Sequence, residues 1–241
     1  MLLGNPNWNN SITGTLFLPN EGKNSFAELD SEAAIHAFFK QAFPDAYQVM
    51  PDLIGEFMRH PCGNLSTIKC SPWYVEDHCL LIGDAAHGVV PFFGQGMNSA
   101  FEDCRILNEL LDQYQDNWTE VMPAFYESRK PNTDAVSEMS MDNYREIQTN
   151  IRDAKFNFKK QLEQELMQRY PERYISKHVL VMFTNTPYAK AKAYGQVQNE
   201  LLEKICLEAR SSDDIKWREV DKLMEQYDKK LANLNPVEEI Y

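Results

Sequence analysis

The residues best equipped for chemistry lie in one run, LLIGDAAHGVVPFFGQGMNSAFEDC, residues 80–104. A short apolar stretch ends at Gly83 and presents Asp84 at what reads as the carboxyl edge of a strand, where ligands gather in open α/β sheets. A carboxylate at that edge accepts short hydrogen bonds from sugar or polyol hydroxyls. Gly94-Gln95-Gly96 then lets the backbone pass close to a flat or bulky group. A helix starts directly after it, so the amides of Gly96, Met97 and Asn98 point outward ahead of the first helical hydrogen bond. With the helix dipole they make a site for an anion or an electron-rich oxygen.

Other chemistries fit these residues less well. Asp84 and His87 stand at i, i+3, a metal-ligand spacing, but no second pair follows and the neighbourhood is apolar. A nucleophile elbow, G-x-S-x-G, is absent. On spacing alone Asp84 also reads as a turn cap, and Phe92 and Phe93 as core residues.

The elements that must position this run are legible from periodicity. Ser11–Pro19, SITGTLFLP, has the β-branched and aromatic content of a strand. Met1-Leu2-Leu3 reads either as the chain stepping into the middle of a sheet or as an N-terminal strand. Ser31 opens a helix with Ala34, Ile35, Phe38, Phe39 and Ala42 on one face, stopped at Pro44-Asp45. Leu65–Val75 reads as a strand interrupted by Pro72, and His78–Gly83 as a buried parallel strand. Met97, Ala100, Phe101, Cys104, Leu107, Leu111 and Tyr114 form the apolar face of the helix that follows.

Beyond Trp118 the pattern is helical. Val121, Met122, Phe125 and Tyr126 form one stripe, and Met139, Asn143, Ile147, Ile151, Phe158, Leu162 and Leu166 a longer one. Tyr174–Phe183 is apolar enough for a buried helix. After Gly195, stripes at Val197, Leu201 and Ile205 and at Val220, Leu223, Tyr227 and Leu231 alternate with heavy charge. They read as solvated helices or a frayed tail.

Composition sets outer bounds. At 241 residues and 43% apolar content the chain can bury a sizeable core. Its 24 basic against 36 acidic residues give a net charge of −12, which repels phosphate backbones and argues against nucleic-acid binding. No apolar run approaches the ~20 residues of a membrane span, and no signal peptide opens the chain. Five cysteines without a C-x-x-C pair read as reduced, cytoplasmic thiols.

The pattern GDAAH…P-x-x-GQG-x-N resembles the second FAD-binding fingerprint of the flavin-dependent aromatic-ring hydroxylases. The fuller string of residues 83–104, with MLLGNPN, TLFLP, FFKQAFPDA and SMDNYREI elsewhere, is similar to the branch of that family acting on L-kynurenine. The similarity covers roughly residues 1–190 and weakens in the charged tail. It implies an α+β fold class, part of an FAD- and substrate-domain sheet followed by a C-terminal helical domain. The implied divisions are 1–75 for the remainder of the substrate-binding domain, 76–130 for the last piece of the FAD-binding domain, and 131–241 for the helices.

The resemblance implies FAD as cofactor and NADPH and O₂ as co-substrates. The substrate ring would be hydroxylated ortho to its amino group, giving 3-hydroxy-L-kynurenine in tryptophan catabolism and pyridine nucleotide biosynthesis. Asp84 would hold the flavin's ribityl chain, while Gly96, Met97 and Asn98 would face the pyrimidine edge of the isoalloxazine. Pro91, Phe92 and Phe93 would wall the substrate pocket, and Asn143 and Tyr188 would meet the amino-acid end of kynurenine. Val89 and Val90 would help keep water out, and no side chain need act as a strong acid or base.

The sequence also departs from the family. The G-x-G-x-x-G that grips the FAD pyrophosphate is absent, as are the early Arg and Tyr for the substrate carboxylate. The chain is therefore expected to be the C-terminal portion of such an enzyme, partnered by a missing N-terminal half and unable alone to bind FAD tightly or turn over. No apolar C-terminal anchor is expected, which points to a cytoplasmic, bacterial type. The alternatives are another flavin hydroxylase and a non-catalytic acidic helical interaction module.

Overall fold

In the computed structural model, residues 1–150 and 153–234 are described, and two compact units emerge, 1–64 and 65–241. The expected divisions at 75 and 130 both fall within the second unit. The chain is α+β, mostly helical with two small two-stranded sheets among the described residues.

In the first unit, β1 (Leu2–Pro6) and β2 (Ile12–Leu16) form an antiparallel hairpin, with Leu2 opposite Leu16 and Pro6 opposite Ile12. The expected strands are there, but as a hairpin with a largely exposed outer run. Ser31 caps α1 (Glu32–Ala42), accepting a hydrogen bond from the Ala34 amide at 3.3 Å, as its residue type requires. Pro44 stops that helix and starts the short α2 (Pro44–Tyr47), since proline lacks the N–H that a continuing helix needs. With α3 (Leu53–Arg59), these elements close over Leu29, Ile35, Phe39 and Leu53, edged by a cluster of phenylalanines.

The second unit opens with extended chain. The expected strand over Leu65–Val75 is reduced to β3 (Tyr74–Val75), and the expected buried parallel strand over His78–Gly83 to β4 (Cys79–Leu80). These two pair antiparallel with each other, and Cys79 and Ile82 are exposed. Tertiary hydrogen bonds replace ladder pairing here: Ile68 N–H to Gly88 O at 2.7 Å and Leu81 N–H to Trp73 O at 2.7 Å. Pro72, without an N–H, interrupts any longer ladder.

Asp84–His87 is one helical turn, α4, and Pro91–Phe93 a tight 3-10 turn. The long helix α5 (Gly96–Gln113) follows, then α6 (Trp118–Asn150), α7 (Ala154–Arg169), α8 (Lys177–Phe183), α9 (Tyr188–Glu208) and α10 (Trp217–Ala232). The inward face of α5 differs from the expected one. Met97 and Phe101 are exposed (69% and 66%), and Cys104 is exposed too. The inward residues near its start are Ser99 and Asp103, followed by partly buried Ile106, Leu107 and Leu110. Periodicity sees apolar residues only, so a face buried through polar partners was invisible to it.

The helices after Gly195 are not a solvated tail. Leu201, Ile205, Val220, Met224 and Tyr227 are buried with Phe158, Leu162 and Leu166 in one core shared by α7, α9 and α10. The charge between the stripes lies on the outer faces as ion pairs, including Lys155–Glu203, Lys159–Glu203 and Lys230–Glu200. In the longer stripe, Ile151 lies outside the described residues, as do 235–241.

Candidate functional site

The chain turns at Gly83 with φ +59° and ψ −143°, a backbone only glycine adopts without strain. Asp84, the first residue of α4, is exposed, and its carboxylate has no hydrogen-bond or ion-pair partner among the described residues. At the other end of the same turn, His87 is buried and its ring lies 5.3 Å from that of Trp73.

Both ends of this turn are tied to one carboxylate. Asp103, fully buried, accepts from the Gly83 amide at 2.9 Å and from His87 Nε2 at 2.6 Å, both on Oδ2. Its Oδ1 accepts from Arg129 Nε at 2.7 Å. Arg129, 1% exposed, also reaches Glu102 at 2.8 Å and the Ser99 carbonyl at 3.2 Å. Burial alone would raise the Asp103 carboxyl, but the hydrogen bonds from His87, Arg129 and Gly83 outweigh it and hold the group below its ordinary value. The sequence offered no sign of this cluster, because its members come from α4, α5 and α6.

After α4 the chain runs through buried Gly88 and Val90 to Pro91–Phe93. Asn143 of α6 donates from Nδ2 to the Phe92 carbonyl at 2.5 Å, and Tyr144 stacks on the Phe92 ring at 4.3 Å. Phe93 meets the His178 ring edge-on at 6.3 Å. Gly94 takes a left-handed conformation, φ +69°, and Gln95 turns inward to 1% exposure. Its Oε1 accepts from Tyr188 OH at 3.2 Å and Asn98 Nδ2 at 3.1 Å, while its Nε2 donates to Met182 Sδ at 2.8 Å. Burial, with the Glu102 charge adding to it, pushes the Tyr188 phenol up to about 12, so the hydroxyl keeps its proton and hydrogen-bonds through it to Gln95 Oε1.

Helix α5 then begins. Its first ladder bond runs from Ser99 N–H to Gln95 O at 2.9 Å, which leaves the amides of Gly96, Met97 and Asn98 ahead of the ladder. Met97 and Asn98 are exposed there.

The predicted residues thus fall into two groups. Phe92, Phe93, Asn143 and Tyr188 gather around the Pro91–Gln95 loop, although 143 and 188 come from different helices. Asp84 and the start of α5 are linked through Asp103 rather than through each other. Gln95, Tyr144, His87, Asp103 and Arg129 are the participants that the sequence reading left without a role. Among the described residues no group of three metal-ligating side chains converges.

Residues 67–140 match the family model described as FAD binding domain. This segment therefore carries FAD-binding-domain sequence, and it spans the turn, the loop and α5. Over 234 residues the chain is 65% identical to the kynurenine 3-monooxygenase of Legionella pneumophila (strain Corby), covering 97% of this chain and 52% of that protein. It is 42% identical over 205 residues to that of Flavobacterium johnsoniae, covering 85% and 46%. Against that of Dictyostelium discoideum it is 36% identical over 246 residues, covering 97% and 53%. The chain is thus similar over most of its length to proteins named kynurenine 3-monooxygenase, and it spans about half the length of the curated relatives it matches.

The local chemistry fits a flavin. An unpartnered exposed carboxylate suits polyol hydroxyls, and amides ahead of a helix ladder suit the electron-rich edge of an isoalloxazine, most of all when reduced and anionic. Both are open at the surface, beside a loop lined with aromatic rings.

Proposed function

We propose that this chain is the C-terminal part of an FAD-dependent monooxygenase that converts L-kynurenine to 3-hydroxy-L-kynurenine with NADPH and O₂. The observation that carries the reading is the convergence of Asn143 and Tyr188 on the Pro91–Gln95 loop, next to the free amides of α5. In this reading residues 1–75 belong to the substrate-binding domain, 76–130 to the FAD-binding domain and 131–241 to a helical C-terminal domain. The remainder of the flavin-hydroxylase sheet, with the pyrophosphate-gripping glycine motif, comes from a missing N-terminal half. The isolated chain would then bind FAD weakly and stay inactive. A cytoplasmic location belongs to the same reading.

Asp84 would hold the ribityl chain, and Gly96, Met97 and Asn98 the pyrimidine edge. Bound FAD supplies the electron transfer and oxygen activation. The chain's own residues orient and shield. Asn143 fixes the Phe92 carbonyl, so the Pro91–Phe93 wall keeps one conformation and its rings exclude water from the substrate face. Tyr188 and Asn143 are the polar groups available to the amino-acid end of kynurenine. Tyr188 stays protonated and, with its one proton given to Gln95 Oε1, offers the ligand a lone pair.

The test uses the full-length protein, in which L-kynurenine should stimulate NADPH oxidation and yield 3-hydroxykynurenine. Tyr188→Phe and Asn143→Ala should raise KM for kynurenine while leaving the flavin absorbance unchanged. Stimulation by a different aromatic compound and not by kynurenine refutes the substrate assignment.

A further inference from the structure

The buried cluster of His87, Asp103 and Arg129 is unused in the reading above, and ion pairs like it are expensive. Apolar residues of similar volume are often as stable or more so than a buried pair. Its hydrogen bonds show what such a cluster does that apolar packing cannot. Gly83 and His87 bracket Asp84, and both donate to the same oxygen of Asp103. Asp103 is on α5, the helix whose first turn presents Gly96, Met97 and Asn98. Arg129, from α6, holds the other oxygen.

We infer that Asp103 is a positioning residue for the flavin site, with His87 and Arg129 as the groups through which it acts. It locks the Asp84 turn to α5 so that the carboxylate and the helix amides keep a fixed separation. This inference rests on the flavin reading of Asp84 and α5. None of the three side chains touches the flavin in it. The substrate wall is pinned separately, by Asn143 and Tyr144 on Phe92, so the cluster governs the flavin and not kynurenine. Without the Asp103 acceptor, the turn at Gly83 loses its bonds at both ends. The bonds that remain, from Ile68 N–H to the Gly88 carbonyl and from Cys70 Sγ to the Ala86 carbonyl, tie the turn to the preceding segment and not to α5.

The experiment uses the full-length protein with His87→Phe, Asp103→Asn and His87→Gln. The first keeps a ring against Trp73 but loses the donor, and the third restores an N–H donor. His87→Phe and Asp103→Asn should each weaken FAD binding, read from flavin fluorescence on titration, by roughly tenfold, the scale of one hydrogen bond to a charged group. Hydrogen–deuterium exchange of the flavin-free protein should quicken over residues 83–88. The kynurenine dissociation constant at saturating FAD should stay within about twofold, and His87→Gln should recover most of the FAD affinity.

Unaltered FAD affinity in His87→Phe and Asp103→Asn overturns the inference. So does an equal loss of FAD and kynurenine binding with faster exchange throughout α5 and α6, which marks a fold-stabilising cluster only. If the unmodified full-length protein takes up no FAD, the flavin reading fails and takes the inference with it. If it binds FAD and the variants bind equally, the inference alone fails.

Discussion

Arg129→Met is the sharpest probe of how this unit is held together. Arg129 is 1% exposed and offers its guanidinium to Asp103, Glu102 and the Ser99 carbonyl. Methionine fills much of the volume but donates nothing. Glu102 is partly exposed and can turn to water, so its loss is small. Asp103 is fully buried and keeps only the Gly83 and His87 donors on one oxygen, with nothing on the other. Breaking a buried pair from one side typically costs about 3–5 kcal/mol.

Urea denaturation of the full-length protein, followed by far-ultraviolet circular dichroism, measures the loss directly. The double variant Arg129→Met/Asp103→Asn should recover about 2 kcal/mol relative to Arg129→Met, because the uncompensated charge is gone. A loss below about 1 kcal/mol for Arg129→Met, or purely additive effects in the double variant, would show that the cluster is not the electrostatic unit described.

Other consequences follow from burial and backbone geometry. Met224→Ala in α10, at 0% exposure, should cost about 2–5 kcal/mol, whereas Leu207→Ala, at 80%, should stay within about 0.5 kcal/mol; equal unfolding midpoints would return the last helices to a solvated tail. Gly83→Ala should cost roughly 1–3 kcal/mol through backbone strain alone, since the nearest atom to an added Cβ is Ala100 Cβ at 3.5 Å, an ordinary contact. An unchanged thermal midpoint contradicts that. At alkaline pH, burial holds the phenols of Tyr188 and Tyr227 up at about 12, against 10.0 ordinarily. The folded state therefore keeps these protons longer than the unfolded state. Their contribution is full below pH 10 and is lost as the pH rises towards 12. Tyr227→Phe should move alkaline unfolding to higher pH, and an unchanged alkaline midpoint in that variant would refute the assignment.

What the sequence determined by itself was local and apolar. Ser31 had to cap a helix and Pro44 had to end it, because a hydroxyl acceptor and a missing N–H act within a turn. The helices after Trp118 were legible from their stripes, and Gly94-Gln95-Gly96 marked where a helix would begin. The run from Gly83 to Cys104 identified the flavin-related segment, because its glycines, carboxylate and helix start carry their chemistry in sequence order. Tertiary structure decided the rest. Leu65–Val75 and His78–Gly83 have strand-like composition, but a strand needs a neighbour, and here the pairing is confined to two residues each. The inward face of α5 was set by Arg129, a residue on another helix, which turned Asp103 inward and left Met97 and Phe101 outside. The charged C-terminal stripes became core because α7, α9 and α10 supply one another's apolar partners. Hydrogen bonds and ion pairs between distant segments leave no periodic trace in a sequence, so the site's buried polar framework appears only once the chain has folded.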